Sequence, residues 1–233
     1  MATLLLRLAG PMQSWGTQSR FTERDTGREP SKSGVVGMLS AALGWPRDHD
    51  LDELRELRMG VRVDREGVMM KDFQTTYPLV DEKGKPYRSR KAPIVSNRYY
   101  LSDADFLVGL ESGEEGFLSK LEWAVSNPYW PLYLGRKAFT PGKPVLPDAE
   151  ELGIRPLIET PLMEALTAAM YVPRYNEKEI PRKLRLVVEL LPDDPDYMDG
   201  LERVDQPRSF ADRTFDVRRV RVEYREPRIR EEG

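Results

Sequence analysis

Two stretches of this chain carry residue types able to hold an anion. In the first, the apolar run Leu4-Leu5-Leu6-Arg7-Leu8 gives way to the loop Gly10-Pro11-Met12-Gln13-Ser14-Trp15-Gly16. The chain then passes Arg20, Arg24 and Arg28 and re-enters at Pro30-Ser31-Lys32-Ser33-Gly34. A strand that ends in glycine and leads to a Ser-capped helix start can offer unpaired backbone N–H groups to a phosphate. The plainer reading makes Gly10 and Gly16 turn residues and Trp15 the filling of a satellite core. A Walker loop does not fit, because Gly27-Arg28-Glu29-Pro30-Ser31 is followed by Lys32 where glycine is required.

The second stretch runs from Lys83 to Tyr100. It holds six basic residues, Lys83, Lys85, Arg88, Arg90, Lys91 and Arg98, and no acid, whereas Leu101 to Glu115 holds five acids and no base. Such segregation puts a positive patch on a mildly acidic body, or simply a solvated loop. The net charge of −3 over 233 residues argues against a general nucleic-acid coat.

Composition narrows the chemistry further. With no cysteine there are no disulfides, thiolate ligands or thiol nucleophiles, and with His49 as the single histidine a zinc site would have to rest on carboxylates. No metal and no cofactor are expected. No run of eighteen apolar residues occurs and the start lacks a basic, apolar leader, so neither a spanning helix nor a signal peptide is expected, and the cytoplasm is the expected location. At 39% hydrophobic residues the chain can build one sizeable domain plus an appendage.

Periodicity supplies the elements around these stretches. Thr3 to Ala9 reads as a buried strand, and Ser33 to Leu43 as a helix with Val35, Leu39, Ala42 and Leu43 on one face and Gly44 as its stop. Gly37 inside that helix points to close packing on a neighbouring backbone. A short helix is expected over Leu51 to Met59. A hairpin turn is expected at Asp64 to Gly67 between Val61-Arg62-Val63 and Val68-Met69-Met70, the second strand running on towards Pro78. Asp81 to Asn97 has the punctuation of a protruding arm. Tyr99 to Glu111 reads as a returning strand and Glu114 to Val125 as a helix. This order predicts an α+β sheet with its helices on one face, in the ferredoxin-like arrangement. Tyr129 to Pro156 reads as a boundary, and strands are expected at Leu184 to Leu191 and Thr214 to Tyr224. The acidic Pro192-Asp193-Asp194-Pro195-Asp196 between them fits a solvated loop better than a cation site.

Several blocks together carry a resemblance. Ala9 to Gly16, Pro30 to Gly37, Asp72-Phe73-Gln74-Thr75-Thr76, Arg98 to Ala104, Pro131-Leu132-Tyr133-Leu134-Gly135-Arg136-Lys137 and Pro207 to Arg213 resemble, in order along nearly the whole chain, the CasD family of type I-E CRISPR Cascade complexes, within the RAMP superfamily. The resemblance implies an RRM-like ferredoxin domain over residues 1–128 with a β-hairpin thumb at about 80–97, a connecting segment 129–160 and a small β-rich C-terminal subdomain 161–233. It implies a non-catalytic subunit that binds and caps the 5′ handle of crRNA and docks a CasC backbone subunit and a CasA large subunit, meeting target DNA only through the complex and no membrane. Expected RNA contacts are then Lys32 with the amides of Ser33 and Gly34 for a phosphate, Gln13 for a base edge or ribose, and Trp15 as a stacking surface or a support for its loop. Arg20, Arg88, Arg90, Lys91, Arg98, Arg136 and Lys137 would hold the RNA backbone, with Tyr87 and Tyr99 as stacking candidates. The common RNP sheet motif is absent, so loops and thumb would carry the binding.

Two other readings compete. A metal-independent endoribonuclease that processes CRISPR repeat RNA would need a general base and acid, for which His49 in Pro46-Arg47-Asp48-His49-Asp50 is the candidate. A protein-docking subunit would use the acidic stretch Asp103 to Glu115 and the segment Tyr129-Trp130-Pro131.

Overall fold

The computed structural model describes residues 1–17, 22–77, 79–80, 83–86, 92–173 and 179–230. Its elements in chain order are β1 (Ala2–Ala9), β2 (Met12–Gln13), β3 (Glu23–Arg24), α1 (Lys32–Leu43), α2 (Asp52–Arg55), β4 (Arg58–Arg65), β5 (Val68–Thr76), β6 (Ile94–Ser102), β7 (Asp105–Ser112) and α3 (Glu115–Ser126). Then come α4 (Ala149–Leu152), β8 (Leu157–Ile158), α5 (Leu162–Ala168), β9 (Leu184–Leu190), β10 (Leu201–Ser209) and β11 (Thr214–Arg225). Arg20, Tyr87, Arg88, Arg90 and Lys91, expected to touch RNA, lie outside the described residues.

The main sheet is antiparallel with strand order β10-β11-β9-β4-β7-β1-β8. Within it, β8-β1-β7-β4 is the ferredoxin-like order, built from two split units in which β7 lies between β1 and β4, and β1 between β7 and β8. The fold is α+β. Leu4, Leu6 and Leu8 of β1 and Phe106, Val108 and Leu110 of β7 share a core with Val35, Leu39, Leu118 and Leu121 of α1 and α3. Leu5 and Leu107 face the other way and pack with Leu162 and Leu166 of α5. Helices thus cover both faces, not the single face expected, because α5 went unread in the sequence. Burial on two sides is why β1 is mostly apolar on both faces, its one charged residue, Arg7, being paired with Asp105. The end of α5 is held by Arg62, which donates to the carbonyls of Leu166 and Ala169 at 2.7 and 2.5 Å and pairs with Asp64.

The second sheet is smaller. β6 pairs with β5 along one edge and with β2 and β3 along the other, so the loop after β1 is stitched to the base of the β5/β6 hairpin. Of the expected thumb, residues 94–97 belong to β6, and residues 81–82 and 87–91 lie outside the described residues. The turn at Asp64 to Gly67 does not make the expected hairpin, since β4 pairs with β7 and β9 while β5 pairs with β6. It switches the chain between sheets. The single strand expected over Tyr99 to Glu111 is broken at Asp103, whose φ of 59° turns the chain back into the main sheet. The helix expected to reach Met59 stops at Arg55, and β4 begins at Arg58.

The C-terminal strands β9, β10 and β11 join the main sheet. β9 pairs with β4 from Gly60↔Val188 to Val63↔Arg185, which extends the ferredoxin-like sheet. A buried ionic quartet secures the join. Lys32, 1% exposed, donates through Nζ to both oxygens of Glu189 at 2.9 and 3.0 Å and to the Arg55 carbonyl. Its backbone N–H donates to Asp205 Oδ2 at 2.8 Å, and Arg218 completes the set with two bonds to Asp205 and a 3.7 Å approach to Glu189. Burial lowers the Lys32 ammonium below its ordinary range, with Glu189 pulling the other way. Two cations and two carboxylates balance, and each carboxylate is tied by several donors, which a buried pair needs to persist.

The segment 131–142, expected as a connector, is a packed wall. Ser14 N–H donates to the Leu134 carbonyl, Gly142 N–H to the Ala9 carbonyl, and Leu134 N–H to the Phe139 carbonyl. Gly135, at φ 88°, lies so close that a Cβ there would sit 1.7 Å from the Ser14 carbonyl oxygen.

Both the quartet and the wall can be tested by stability. Lys32→Met leaves Glu189 buried and underpaired, and urea unfolding is expected to show a loss of about 3–5 kcal/mol, with part recovered in Lys32→Met/Glu189→Leu; an effect below about 1 kcal/mol contradicts the quartet's role. Gly135→Ala is expected to lower the thermal midpoint by several degrees, through steric conflict and left-handed strain of roughly 1–3 kcal/mol.

Candidate nucleic-acid interface

A groove crosses the start of α1. Its polar end, about 250 Å³, lies between Ser14, Trp15 and Gly16, the backbone at Ser31, Ser33 and Gly34, the β3 residue Arg24 with the neighbouring Asp25, Gly135-Arg136 from the wall, and Phe210 and Phe215 beside the β10/β11 turn. Its apolar end, about 440 Å³, shares Ser33, Gly34, Gly135 and Phe210 and continues over Gly37, Met38 and Ala41 to Trp45, Arg47, Trp130, Tyr133 and Arg213.

Local chemistry fixes each wall. The Ser31 hydroxyl caps α1 by accepting from Gly34 N–H at 3.3 Å, and Gly44 closes the helix in the left-handed region. Gly34 also lets Trp15 approach: a Cβ there would lie 2.8 Å from the indole ring. The β10/β11 turn is held by Ser209, whose hydroxyl accepts from Asp212 N–H at 3.1 Å, and it lays Phe210 across Gly37. Gly37 therefore receives an aromatic side chain, not the backbone expected.

The polar end has positive charge in excess. Arg136 stacks its guanidinium 5.6 Å from the Phe139 ring and donates to the Arg24 carbonyl. Burial pushes Arg136 below its ordinary pKa, and the charges of Arg98 and Arg24 push it the same way, with Asp25 and Asp72 offsetting only part. None of Arg24, Arg98 and Arg136 forms an ion pair among the described residues. Three guanidiniums that repel one another beside a groove are stabilised by any anion placed between them.

The expected contacts divide sharply. Ser33 and Gly34 line the groove, Arg136 lines its polar end, and Arg98 stands close enough to act on Arg136. Lys137 is exposed on the same wall segment. Lys32 is not a phosphate ligand: it is committed to Glu189, and the Asp205 carboxylate already takes its backbone N–H. Gln13 reads no base, being fully buried, with its amide donating to the carbonyls of Leu8 and Ala104 and accepting from Trp15 Nε1. Trp15 is 1% exposed, so it supports the loop and offers no stacking face. Tyr99 alternates with Arg98 along β6 and lies towards Lys71, 5.8 Å from its ring, away from the arginine group. His49 is exposed and rests on Trp45, ring centroids 4.1 Å apart.

Sequence reasoning missed the aromatics of the groove, Tyr133, Phe210 and Phe215. A signal was present in two places, where an aromatic residue precedes arginine by three positions: Tyr133/Arg136 and Phe210/Arg213. Among the described residues no helix is long and apolar enough to cross a membrane, and no three metal-ligating side chains cluster.

Known proteins agree with this architecture. A solved structure described as "CRISPR RNA-guided surveillance complex" is 36% identical, with TM-score 0.78 over 97% of this chain and 90% of that one. Another, described as "Crystal structure of Cas protein", is 44% identical, with TM-score 0.73 over 97% and 95%. The CRISPR system Cascade subunit CasD of Escherichia coli (strain K12) is 38% identical over 149 residues, 58% of this chain and 65% of that protein, just under two thirds of its length. The family described as CRISPR-associated protein (Cas_Cas5) matches residues 3–221. With the match running from β1 into β11 and the fold shared along almost the full chain, this protein belongs to the CRISPR-associated Cas5 family.

Proposed function

We propose that this chain is a Cascade subunit of CRISPR defence, working in the cytoplasm, that grips guide RNA at its 5′ handle in the α1 groove and does not cut it. The observation that carries the reading is the pairing of an arginine group only partly offset by Asp25 and Asp72, namely Arg24, Arg98 and Arg136, with the exposed aromatic faces of Phe215 and Trp130 along one groove. Single-stranded RNA offers phosphates and unstacked bases, which arginines and aromatic rings take up respectively. A duplex keeps its base faces covered. Likeness to the Escherichia coli Cascade subunit CasD and to a chain of an RNA-guided surveillance complex supports placement in such an assembly.

In the assembly a CasC-type backbone subunit and a CasA-type large subunit cover other surfaces, and target DNA is met only through the complex. Exposed apolar residues support this docking: Val68, Met69 and Phe73 on β5, and Trp123 and Tyr129 at the end of α3. Docking also raises the effective concentration of handle and groove, so the free protein holds RNA more weakly than the complex does. Arg88, Arg90 and Lys91 of the expected thumb, together with Arg20, add backbone contacts in this reading.

One observation favours endoribonuclease action as a second reading: the His49 imidazole is exposed on Trp45, which lines the groove. Incubation with labelled repeat RNA in EDTA separates the two. The grip predicts a gel shift with intact RNA, whereas a discrete product that disappears in His49→Ala establishes the nuclease. For the grip itself, Arg24→Ala and Arg136→Ala are each expected to flatten the dependence of log K on log salt by about 0.7, the contribution of one single-strand phosphate contact. Arg155→Ala, outside the groove, is expected to leave the slope unchanged. Slopes unaltered by the groove variants remove the groove from RNA binding.

A further inference from the structure

We infer that the free edge of β5 pairs with itself: two copies of the uncomplexed chain join there as antiparallel strands about a two-fold axis at Phe73, and they part before a neighbouring subunit covers the same strand. The parting rests on the assembly reading, whereas the self-pairing belongs to the free chain whatever it assembles with.

β5 stands apart from the other edges among the described strands. It spans Val68–Thr76 and is exposed along its length, with Asp72 alone half-buried. β6 covers one side in an unbroken register, and among the described residues no strand pairs with the other side. The strand holds no proline, and its two charges, Lys71 and Asp72, cancel. The remaining edges are blunted. β2, β3 and β8 are each two residues long, and β10 carries Pro207 and two register shifts. A long, regular edge left unblunted templates a further strand through its unpaired N–H and C=O groups.

The side chains of β5 select its own copy as that strand. Residues opposite each other in an antiparallel pair share one hydrogen-bonding direction, so a strand that meets its own copy is centred on a residue. Centring on Lys71 or Asp72 opposes like charges, which is destabilising. Centring on Met70 or Gln74 pairs only Val68 to Asp72 or Asp72 to Thr76 within the strand. Centring on Phe73 pairs the longer run Met70 to Thr76 and opposes no like charges. Phe73 then meets Phe73 of the second copy, Asp72 meets Gln74, Lys71 meets Thr75 and Met70 meets Thr76. The match of Asp72 with Gln74 is chemically sound, since the Gln74 amide already donates to the Asp72 carboxylate within one chain at 2.5 Å. Phe73, the strand's one aromatic residue, is 64% exposed and gains a ring partner. The association stops at two copies, because it consumes the free edge of both and the far edge of each small sheet is made of the short β2 and β3. Since Val68, Met69 and Phe73 also support docking in the assembly, one strand serves both unions and they exclude each other.

The chain contains no cysteine, so a single introduced one reports the register. Phe73→Cys in the full chain is expected to form a disulfide-linked pair on mild oxidation, because opposed Cα atoms lie about 4.5–5.5 Å apart. Thr75→Cys is expected to form none, its two copies standing four residues apart along the ladder, roughly 14 Å. Sedimentation of the wild-type chain is expected to show a monomer–dimer equilibrium. Phe73→Lys is expected to weaken it roughly 2- to 30-fold, by loss of an aromatic pair and gain of a like-charge pair, with the thermal midpoint unchanged. In the purified complex Phe73→Cys is expected to give no linked pair. A wild-type chain that stays monomeric to its solubility limit, a dimer unweakened by Phe73→Lys, or a disulfide that forms as readily at Thr75→Cys overturns the self-pairing. A monomeric wild type whose Phe73→Lys variant loses affinity for a neighbouring subunit assigns the edge to a strand of that subunit and overturns it too. A linked pair formed in equal yield within the complex overturns the exclusion and leaves the free-chain dimer standing.

Discussion

The buried contact between Lys32 and Glu189 is the constraint on which the rest of the molecule turns. Lys32 opens α1 and Glu189 lies on β9, 157 residues further along the chain. Their pairing, with Asp205 and Arg218, fastens the helix that forms the groove's floor to the strands that lead into the β10/β11 turn. That fastening acts with the Arg55–Asp216 ion pair and the bond from Gln206 to the Arg55 carbonyl to hold the β10/β11 turn, and with it Phe210, over Gly37. A polar lock suits this task better than apolar contact alone, since a quartet of matched charges and donors tolerates one register and penalises others.

The same lock redistributes the charge of the site. The start of a Ser-capped helix attracts an anion, and here Asp205 takes one of its N–H groups. What is left for an external phosphate is the set of guanidiniums on the neighbouring walls, Arg24, Arg98 and Arg136, whose mutual repulsion is relieved by a bound anion. An acidic chain of net charge −3 can therefore present a strongly cationic groove. In the proposed reading this confines RNA to one track and discourages coating of the whole surface.

Much of the fold was legible and much of the site was not, for one physical reason. Elements with dense local apolar pattern read directly from the sequence: β1, α1 with its Gly44 stop, α3, β9 and β11. β10 was missed because it is an edge strand with polar residues and Pro207, which edges tolerate and centres do not. The strand break at Asp103 was missed because it depends on a left-handed residue between two β-rich runs. Lys32 and Gln13 misled because side-chain type and local spacing say nothing about partners far away in sequence: Glu189 for one, the Ala104 carbonyl for the other. The groove aromatics come from three separate segments, around Trp45, Trp130–Tyr133 and Phe210–Phe215, and only the folded chain brings them together. Family blocks marked two of those segments without giving the role of a single side chain in them.

The central claim is that single-stranded RNA lies along α1 between the wall at Gly135 and the β10/β11 turn. The most direct measurement is photo-crosslinking of 4-thiouridine-substituted guide RNA to the protein within its complex, followed by identification of the modified peptides. Adducts are expected on peptides containing Trp130–Arg136 and Phe210–Phe215, with the polar and apolar ends labelled by different nucleotides. Adducts confined to the far side of the sheet, around α5 and β8, with none on those two peptides, would contradict it.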